Sequence, residues 1–334
     1  SIKVASLIAL LSPLQSLRRL RKESSDLLAM TSRVYARPPL EIISMLNHEI
    51  IEEKSNPLHF YTDQLPAHLV WFGSQIAGHK TEVKAGLQTL GFIKDRNFSD
   101  RILKPVMNDK RGACEKNFYL DVFSPSSSLR AFRRVIPQYY GLRDLLYKGT
   151  NHQLLELEDI SDYFTLPAVI DIKIGQKTFG PDASAEKMKK EQAKYPPQEE
   201  IGFRMLGYKV ESKAMGHRAS RDREWCLNLG TGAVEAALLE FLSHRGKEMD
   251  TLVEQMLLQL EEIKEVVSLG LIHLYSSSLL IAYEAHENSP IRAEIRMIDF
   301  SHVYPANNNS DENYLFGLNS LIQFLINIQS NLNV

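Results

Sequence analysis

Cysteine is scarce. Cys114 and Cys226 are the only two in 334 residues, far apart and in no metal-ligand spacing. That argues against a disulfide scaffold or a cysteine-built zinc site, and a reducing, intracellular compartment is the expectation. Long hydrophobic runs are also missing: the longest, Val4 to Leu11, is too short to span a bilayer. The Ser-Ile-Lys start and the basic cluster after it show no small-residue cleavage site, so no secretory leader is expected. Neither sign of charge dominates. With 39 Lys and Arg against 41 Asp and Glu, the formal charge is −2. That gives no global pull toward nucleic acid or membrane, so no nucleic-acid partner is expected and any polyanion site must be a local basic patch. What is present is ordinary for a globular chain: 44% hydrophobic, 24% charged, and long enough for two lobes with real cores.

One stretch stands out, Pro167-Ala168-Val169-Ile170-Asp171-Ile172-Lys173-Ile174-Gly175. Its β-branched residues read as a strand that the glycine closes. Strand side chains alternate faces, so Asp171 and Lys173 point the same way, one pleat apart. An unpaired charge facing a core is costly. Either the two charges face a solvated cleft that takes a charged ligand, or they form a structural ion pair.

Other segments carry weaker signals. Residues 1–30 read as one or two basic, amphipathic helices broken at Pro13, either packed on the body or made for a membrane surface or a calmodulin-like partner. Glu41 to Lys54 reads as a second amphipathic helix. Asp100 to Pro105 reads as a short strand ending on Lys104, and Arg111 and Glu115 lie at the start of the helix after it. Asp182 is the expected N-cap of a helix from Ala183 to Tyr195 that carries Lys187, Lys189, Lys190 and Lys194. That cationic face is either a solvated surface or a cradle for phosphates. Phe203 to Glu211 reads as a strand, Ser212 to Trp225 as a basic loop (Lys213, His217, Arg218, Arg221, Arg223) expected to help close on a polyanion, and Thr231–Ser243 and Thr251–Ser268 as scaffold helices. Tyr275 to Tyr283 and Ile295 to His302 read as a hairpin turning at Asn288-Ser289-Pro290, with Asp299 at a strand end over a cleft. His302 is a lone histidine, structural or ligand-facing. A closing helix runs from Tyr314 to Gln329.

Pro167, Asp171, Lys173 and Gly175 in Pro-x-x-x-Asp-x-Lys-x-Gly resemble the signature of the inositol polyphosphate kinase family. The resemblance continues through Gln176-Lys177, Ala183 to Lys187 and Lys194-Tyr195-Pro196 to Glu200-Ile201-Gly202-Phe203, most like the multikinase branch. It returns at Ile136 to Gly141, in the Ser-Leu-Leu block at Ser278, and at the C-terminus, while Gln75 to His79 resembles the family's opening strand.

The resemblance implies an α+β fold in two lobes: a smaller N-lobe with an antiparallel sheet, a larger mixed C-lobe, and the site between them. The expected divisions are a helical extension over 1–57, the N-lobe over 58–160 and the C-lobe over 161–334. It implies ATP-dependent phosphorylation of inositol polyphosphates, with inositol 1,4,5-trisphosphate and tetrakisphosphates carried toward pentakisphosphate. Phosphoinositide headgroups are further expected ligands. Lys104 resembles the ATP lysine, held by Glu115. The Glu158 carbonyl and Ile160 amide are the expected adenine contacts, Asp171 meets the nucleotide, and Asp299 binds Mg²⁺ (or Mn²⁺). Lys173 falls where the γ-phosphate meets the accepting hydroxyl. Arg111, Lys187 and Lys194 are expected on substrate phosphates, with His302 near the ring. No His-Arg-Asp catalytic loop is present, so no dedicated general base is evident. The other readings are a kinase forming inositol pyrophosphates, a phosphoinositide 3-kinase-type activity, and a non-catalytic scaffold acting through residues 1–57. A monomer in nucleus and cytoplasm is expected.

Overall fold

Alternation of β-branched and aromatic residues sets the strands, and apolar residues recurring every three to four set the helices. The computed structural model describes residues 64–73, 82–84, 87–212 and 216–332, all within a compact unit spanning 61–334. The helices expected over 1–30 and 41–54 and the strand at Gln75–His79 lie outside the described residues.

The first half of the chain runs β1 (Leu69–Trp71), β2 (Glu82–Lys84), β3 (Leu87–Thr89), β4 (Ile93–Asp95), β5 (Phe98–Pro105), α1 (Lys110–Val122), β6 (Tyr139–Tyr147) and β7 (Thr150–Glu158). A single 3₁₀ turn, Ile160–Tyr163, leads into β8 (Pro167–Ile174). Then follow α2 (Ala185–Ala193), α3 (Gln198–Ile201), β9 (Phe203–Ser212), β10 (Gly216–Arg221), α4 (Arg223–Leu227), α5 (Val234–Ser243) and α6 (Met249–Val267). The chain closes with β11 (Ile272–Leu274), β12 (Ser278–Glu284), β13 (Ala293–Ile298), β14 (Val303–Pro305) and α7 (Glu312–Leu332).

Two five-stranded sheets organise the body. The first has the order β1-β4-β5-β7-β6 and the second β10-β9-β8-β12-β13. Every neighbouring pair in both is antiparallel. The architecture is therefore the expected two-lobed α+β one, the larger lobe mixing helices with a sheet that is itself antiparallel. A small apolar cluster (Leu69, Leu90, Ile93, Leu103, Leu145, Tyr147, Leu154) belongs to the first sheet. The main core joins the second sheet to α5, α6 and α7, and it also takes Phe118, Tyr119 and Val122 of α1. Burial of this size supplies most of the folding free energy, at roughly 25 cal/mol per Å² of apolar surface. Among the described residues, no helix is long and apolar enough to cross a membrane.

Three local expectations are corrected. The helix after Gly175 is capped by Ser184, whose hydroxyl accepts from the Lys187 N–H; Asp182 accepts instead from the Tyr304 hydroxyl. Both residue types cap well, and the tertiary contact at Tyr304 decides between them. The basic stretch 212–225 is not all loop, since β10 and α4 form within it, with Asp222 capping α4 through the Trp225 N–H. The strand expected from Tyr275 begins only at Ser278, because Ser276 adopts φ of 61° and turns the chain.

The Gly175 and Gly202 positions have a packing reason. Gly175, at φ of 105°, gives its N–H to the Gly202 carbonyl at 2.8 Å. Gly202 ends α3 at φ of 76°, where a Cβ would lie 2.7 Å from the Gly317 Cα. The end of β8 is thus pinned to α3 and α7 by backbone approaches that only glycine permits.

Candidate active site

The strand β8 delivers the two charges that its sequence made conspicuous, and they do not pair with each other. Lys173 donates to the Ser276 carbonyl at 2.6 Å and to its hydroxyl at 2.9 Å. Asp171 is 4% exposed, and its Oδ1 has no hydrogen-bond partner. Burial, and then the nearby Asp299 charge, push the Asp171 carboxyl up to about 7. Burial pulls Lys173 below the ordinary lysine value, opposed by Asp299 and Asp171. The strand therefore makes no Asp171–Lys173 ion pair; Lys173 lines a cavity, and Asp171 is buried beside it.

On one side of Asp171 lies a second charge cluster. Lys104 of β5 contacts Glu115 of α1 at 2.7 Å and Asp299 at 2.6 Å. Burial alone would lower Lys104, but the two carboxylates raise it well above the ordinary value, so it stays charged. Glu115 also accepts the Phe300 N–H at 3.2 Å, and the Phe300 ring stacks on Phe118 with centroids 4.0 Å apart. These contacts hold Asp299 at φ of 65°, a left-handed conformation that costs a non-glycine residue of order 1–3 kcal/mol. Strain kept at the end of β13, where a carboxylate with 37% side-chain exposure faces Lys104, fits a site that needs the charge there. The unpaired Oδ1 of Asp171 and the Asp299 carboxylate are hard donors of the kind that Mg²⁺ or Mn²⁺ takes. Among the described residues, no group of three or more His, Cys, Asp or Glu is placed to hold a metal. An ion at Asp299 would have to complete its shell with phosphate oxygens and water.

On the other side lies a cavity of about 520 Å³. Lys173, Arg111, Lys187, Lys194 and His302 all line it, so one wall set gathers every substrate residue expected from the sequence. Lys189 and Lys190 are exposed and do not line it. Arg111 stands on its N-cap partner Asp109 at 2.8 Å. His302 is half-buried; burial, then the Lys187 and Arg111 charges, hold it below the ordinary histidine value, so it is neutral at pH 7.

Sequence reasoning missed Arg204 and named Arg223 only as one of a basic stretch; both line the same cavity with Thr178, Glu191 and Ser276. The signal for Arg204 was present: it is a charge inside the otherwise apolar start of β9, the same anomaly that marked Asp171 and Lys173. Arg223 was hidden in the basic stretch, where nothing separates it from Arg221. In the structure Arg221 turns away, pairing with Glu240 at 2.7 Å and lying over the Trp225 ring.

Glu158 and Ile160 lie apart from the cavity, at the end of β7 and the start of the turn into β8. Beyond its backbone, Glu158 has a structural side chain. It accepts from Arg296 of β13 at 3.3 Å, from the Gln138 N–H at 3.0 Å and from the Tyr163 hydroxyl, tying one sheet to the other.

A two-lobed kinase fold whose cleft ends in a Lys–Asp pair on one side and a polycationic cavity on the other defines a phosphotransferase for polyanions. Residues 154–326 match the family described as inositol polyphosphate kinase. The chain belongs to the inositol polyphosphate kinase family. Inositol polyphosphate multikinase beta of Arabidopsis thaliana is 28% identical over 281 residues, covering 76% of this chain and 91% of that protein. The Rattus norvegicus inositol polyphosphate multikinase is 31% identical over 224 residues, 63% of this chain and 52% of its own length. In fold the chain resembles the S. cerevisiae inositol phosphate multikinase solved with ADP and Mn²⁺, with a TM-score of 0.55 at 20% identity over 68% of this chain and 98% of that one.

Proposed function

We propose that the protein transfers the terminal phosphoryl group of ATP to ring hydroxyls of inositol polyphosphates, as a multikinase. The observation that carries this reading is the cavity itself. Arg111, Lys173, Lys187, Lys194, Arg204 and Arg223 bring six cationic side chains to it against the single carboxylate of Glu191. A surplus of that size in a chain of formal charge −2 suits a ligand with several phosphates.

Lys173 belongs to the cavity wall and to the strand that carries Asp171, and so joins the two halves of the reaction. Its ammonium would offset the negative charge that develops on the phosphoryl oxygens as the bond to ADP breaks and the bond to the ring oxygen forms. Lys104 would hold the ATP phosphates, Asp171 would meet the nucleotide, and the backbone at Glu158 and Ile160 would take the adenine. Asp299 would ligate Mg²⁺ (or Mn²⁺), which would supply charge neutralisation at the transferring phosphates. Arg111, Lys187 and Lys194 would position substrate phosphates, with His302 beside the ring. The hydroxyl proton passes to solvent or phosphate, since a loose transition state asks little of a base.

The test is incubation with Mg-ATP and inositol 1,4,5-trisphosphate, with products resolved by isomer and Asp299→Asn alongside. Stepwise formation of tetrakis- and pentakisphosphates, lost in the variant, is the expected result. A folded, nucleotide-binding protein that turns over no inositol phosphate would overturn the reading.

A further inference from the structure

Three serines stand in a row at Ser276-Ser277-Ser278, and only the last belongs to a strand. Ser277 and Ser278 are buried. Ser276 differs from both: it lines the cavity, and its φ of 61° is left-handed. A side chain makes that conformation costly, and a glycine would hold the same turn without strain. What serine adds is one oxygen, Oγ, and that oxygen accepts from the Lys173 ammonium at 2.9 Å. The Ser276 carbonyl accepts from the same nitrogen at 2.6 Å.

The turn is fixed from both sides. Before it, the Tyr275 N–H donates to the His302 carbonyl at 3.0 Å. After it, the Ser277 carbonyl takes the Ile174 N–H at 3.1 Å, and the Ser277 hydroxyl donates to the Ile298 carbonyl at 2.8 Å. Ser276 is therefore held on the backbone of three segments, one of them the strand that carries Lys173.

The two lysines of the site are held in opposite ways. Lys104 contacts the carboxylates of Glu115 and Asp299, which offset its charge. Lys173 is held by two neutral oxygens of one residue, which orient an ammonium without neutralising it. An ammonium has three donors; two go to Ser276, which leaves one for a ligand. A donor whose direction is set in advance loses less on reaching the transition state than one on a freely turning ammonium.

We propose that Ser276 is the positioning residue of Lys173: its hydroxyl and carbonyl fix two ammonium donors and so aim the third at the phosphoryl group in transfer. This rests on the inositol polyphosphate reading above, in which Lys173 meets that group. Ser276 touches no reacting atom and acts through the lysine. The carbonyl bond survives in any residue that keeps the turn, so the hydroxyl is the part that a substitution removes.

Steady-state kinetics of the whole protein with Mg-ATP and inositol 1,4,5-trisphosphate test this on the wild type, Ser276→Ala, Ser276→Gly and Lys173→Met. Ser276→Ala loses the oxygen and keeps the left-handed strain, whereas Ser276→Gly loses the oxygen and relieves it. Both lower kcat roughly 10-fold, the scale of one hydrogen bond to a charged group. KM for either substrate stays within about 2-fold, since the bond matters to transfer rather than to ground-state binding. Thermal melts separate a folding defect from a positioning one. If Ser276→Gly turns over as the wild type while Ser276→Ala does not, only the turn matters and the proposal is overturned. A rise in KM at unchanged kcat would also overturn it, by making Ser276 a substrate contact. If both serine variants keep wild-type kcat while Lys173→Met has none, the positioning role falls and the inositol polyphosphate reading stands. A folded wild type that turns over no inositol phosphate would overturn both.

Discussion

Glu158 offers a quantitative test of how the two sheets are joined. Its carboxylate is buried, accepts from Arg296 at 3.3 Å and 3.5 Å, and takes the Gln138 N–H at 3.0 Å and the Tyr163 hydroxyl. Glu158→Gln keeps the shape and removes the charge, leaving Arg296 buried. Breaking one side of a buried pair costs about 3–5 kcal/mol. Arg296 keeps Glu294 at 2.9 Å, which places the expected loss at the low end, about 3 kcal/mol at pH 7. At roughly 2–4 °C per kcal/mol, that lowers the melting temperature by about 6–12 °C.

The pH dependence gives the same test a second axis. Burial pushes the Glu158 carboxyl up, but Arg296, Tyr163 and the Gln138 N–H together hold it below its ordinary 4.5. A depressed carboxylate contributes stability that is complete above its unfolded value and is lost as pH falls through the folded one. The gap between wild type and Glu158→Gln in urea unfolding should therefore be full at pH 7 and narrow below about 4.5. A loss under about 1 kcal/mol at pH 7, or a gap that ignores acidification, would refute the claim that this charge links the sheets.

Three further outcomes are expected. Asp171→Asn should gain stability relative to wild type as pH rises. The Asp171 carboxyl is raised from 3.8 to about 7, so the folded state holds the proton more tightly and wild-type stability falls between those pH values, by up to about 4 kcal/mol. Unfolding midpoints at pH 4 and pH 8 check it, and a pH-independent difference would contradict it. Lys104→Met, which leaves Glu115 and Asp299 without their shared cation, should weaken ATP binding in titrations by roughly 10- to 100-fold. Gly202→Ala should cost about 2–5 kcal/mol in urea unfolding, combining the left-handed backbone with a Cβ driven against Phe316 and Gly317.

Much of the site was legible because its signals are local. A charge in an apolar strand is anomalous wherever the strand goes, which marked Asp171 and Lys173, but that rule left a structural ion pair open beside a ligand cleft, and the family resemblance of Pro167 to Gly175 decided between them. The helix after Gly175 showed a cationic face before any fold was known, and the two of its lysines that the resemblance singled out, Lys187 and Lys194, both line the cavity. The apolar run ending at Asp299 marked a carboxylate held at a strand end. Helix caps were less secure. Asp182 and Ser184 are both good caps, and the choice turned on Tyr304, more than a hundred residues away in the chain.

What periodicity and residue type determined here is which elements form and which charges within them are out of place, since hydrogen-bonding period and side-chain parity are properties of a few neighbouring residues. The fold alone decided which of those charges meet. Arg111 reached the lysine helix because α1 packs into the main core. Arg204 came to face Lys173 through the β8–β9 register. Ser276 left its expected strand to turn left-handed and take the lysine's proton donors. Each of these depends on contacts between segments far apart in sequence, where the free energy that selects a register is a sum over the whole core and no short pattern carries it.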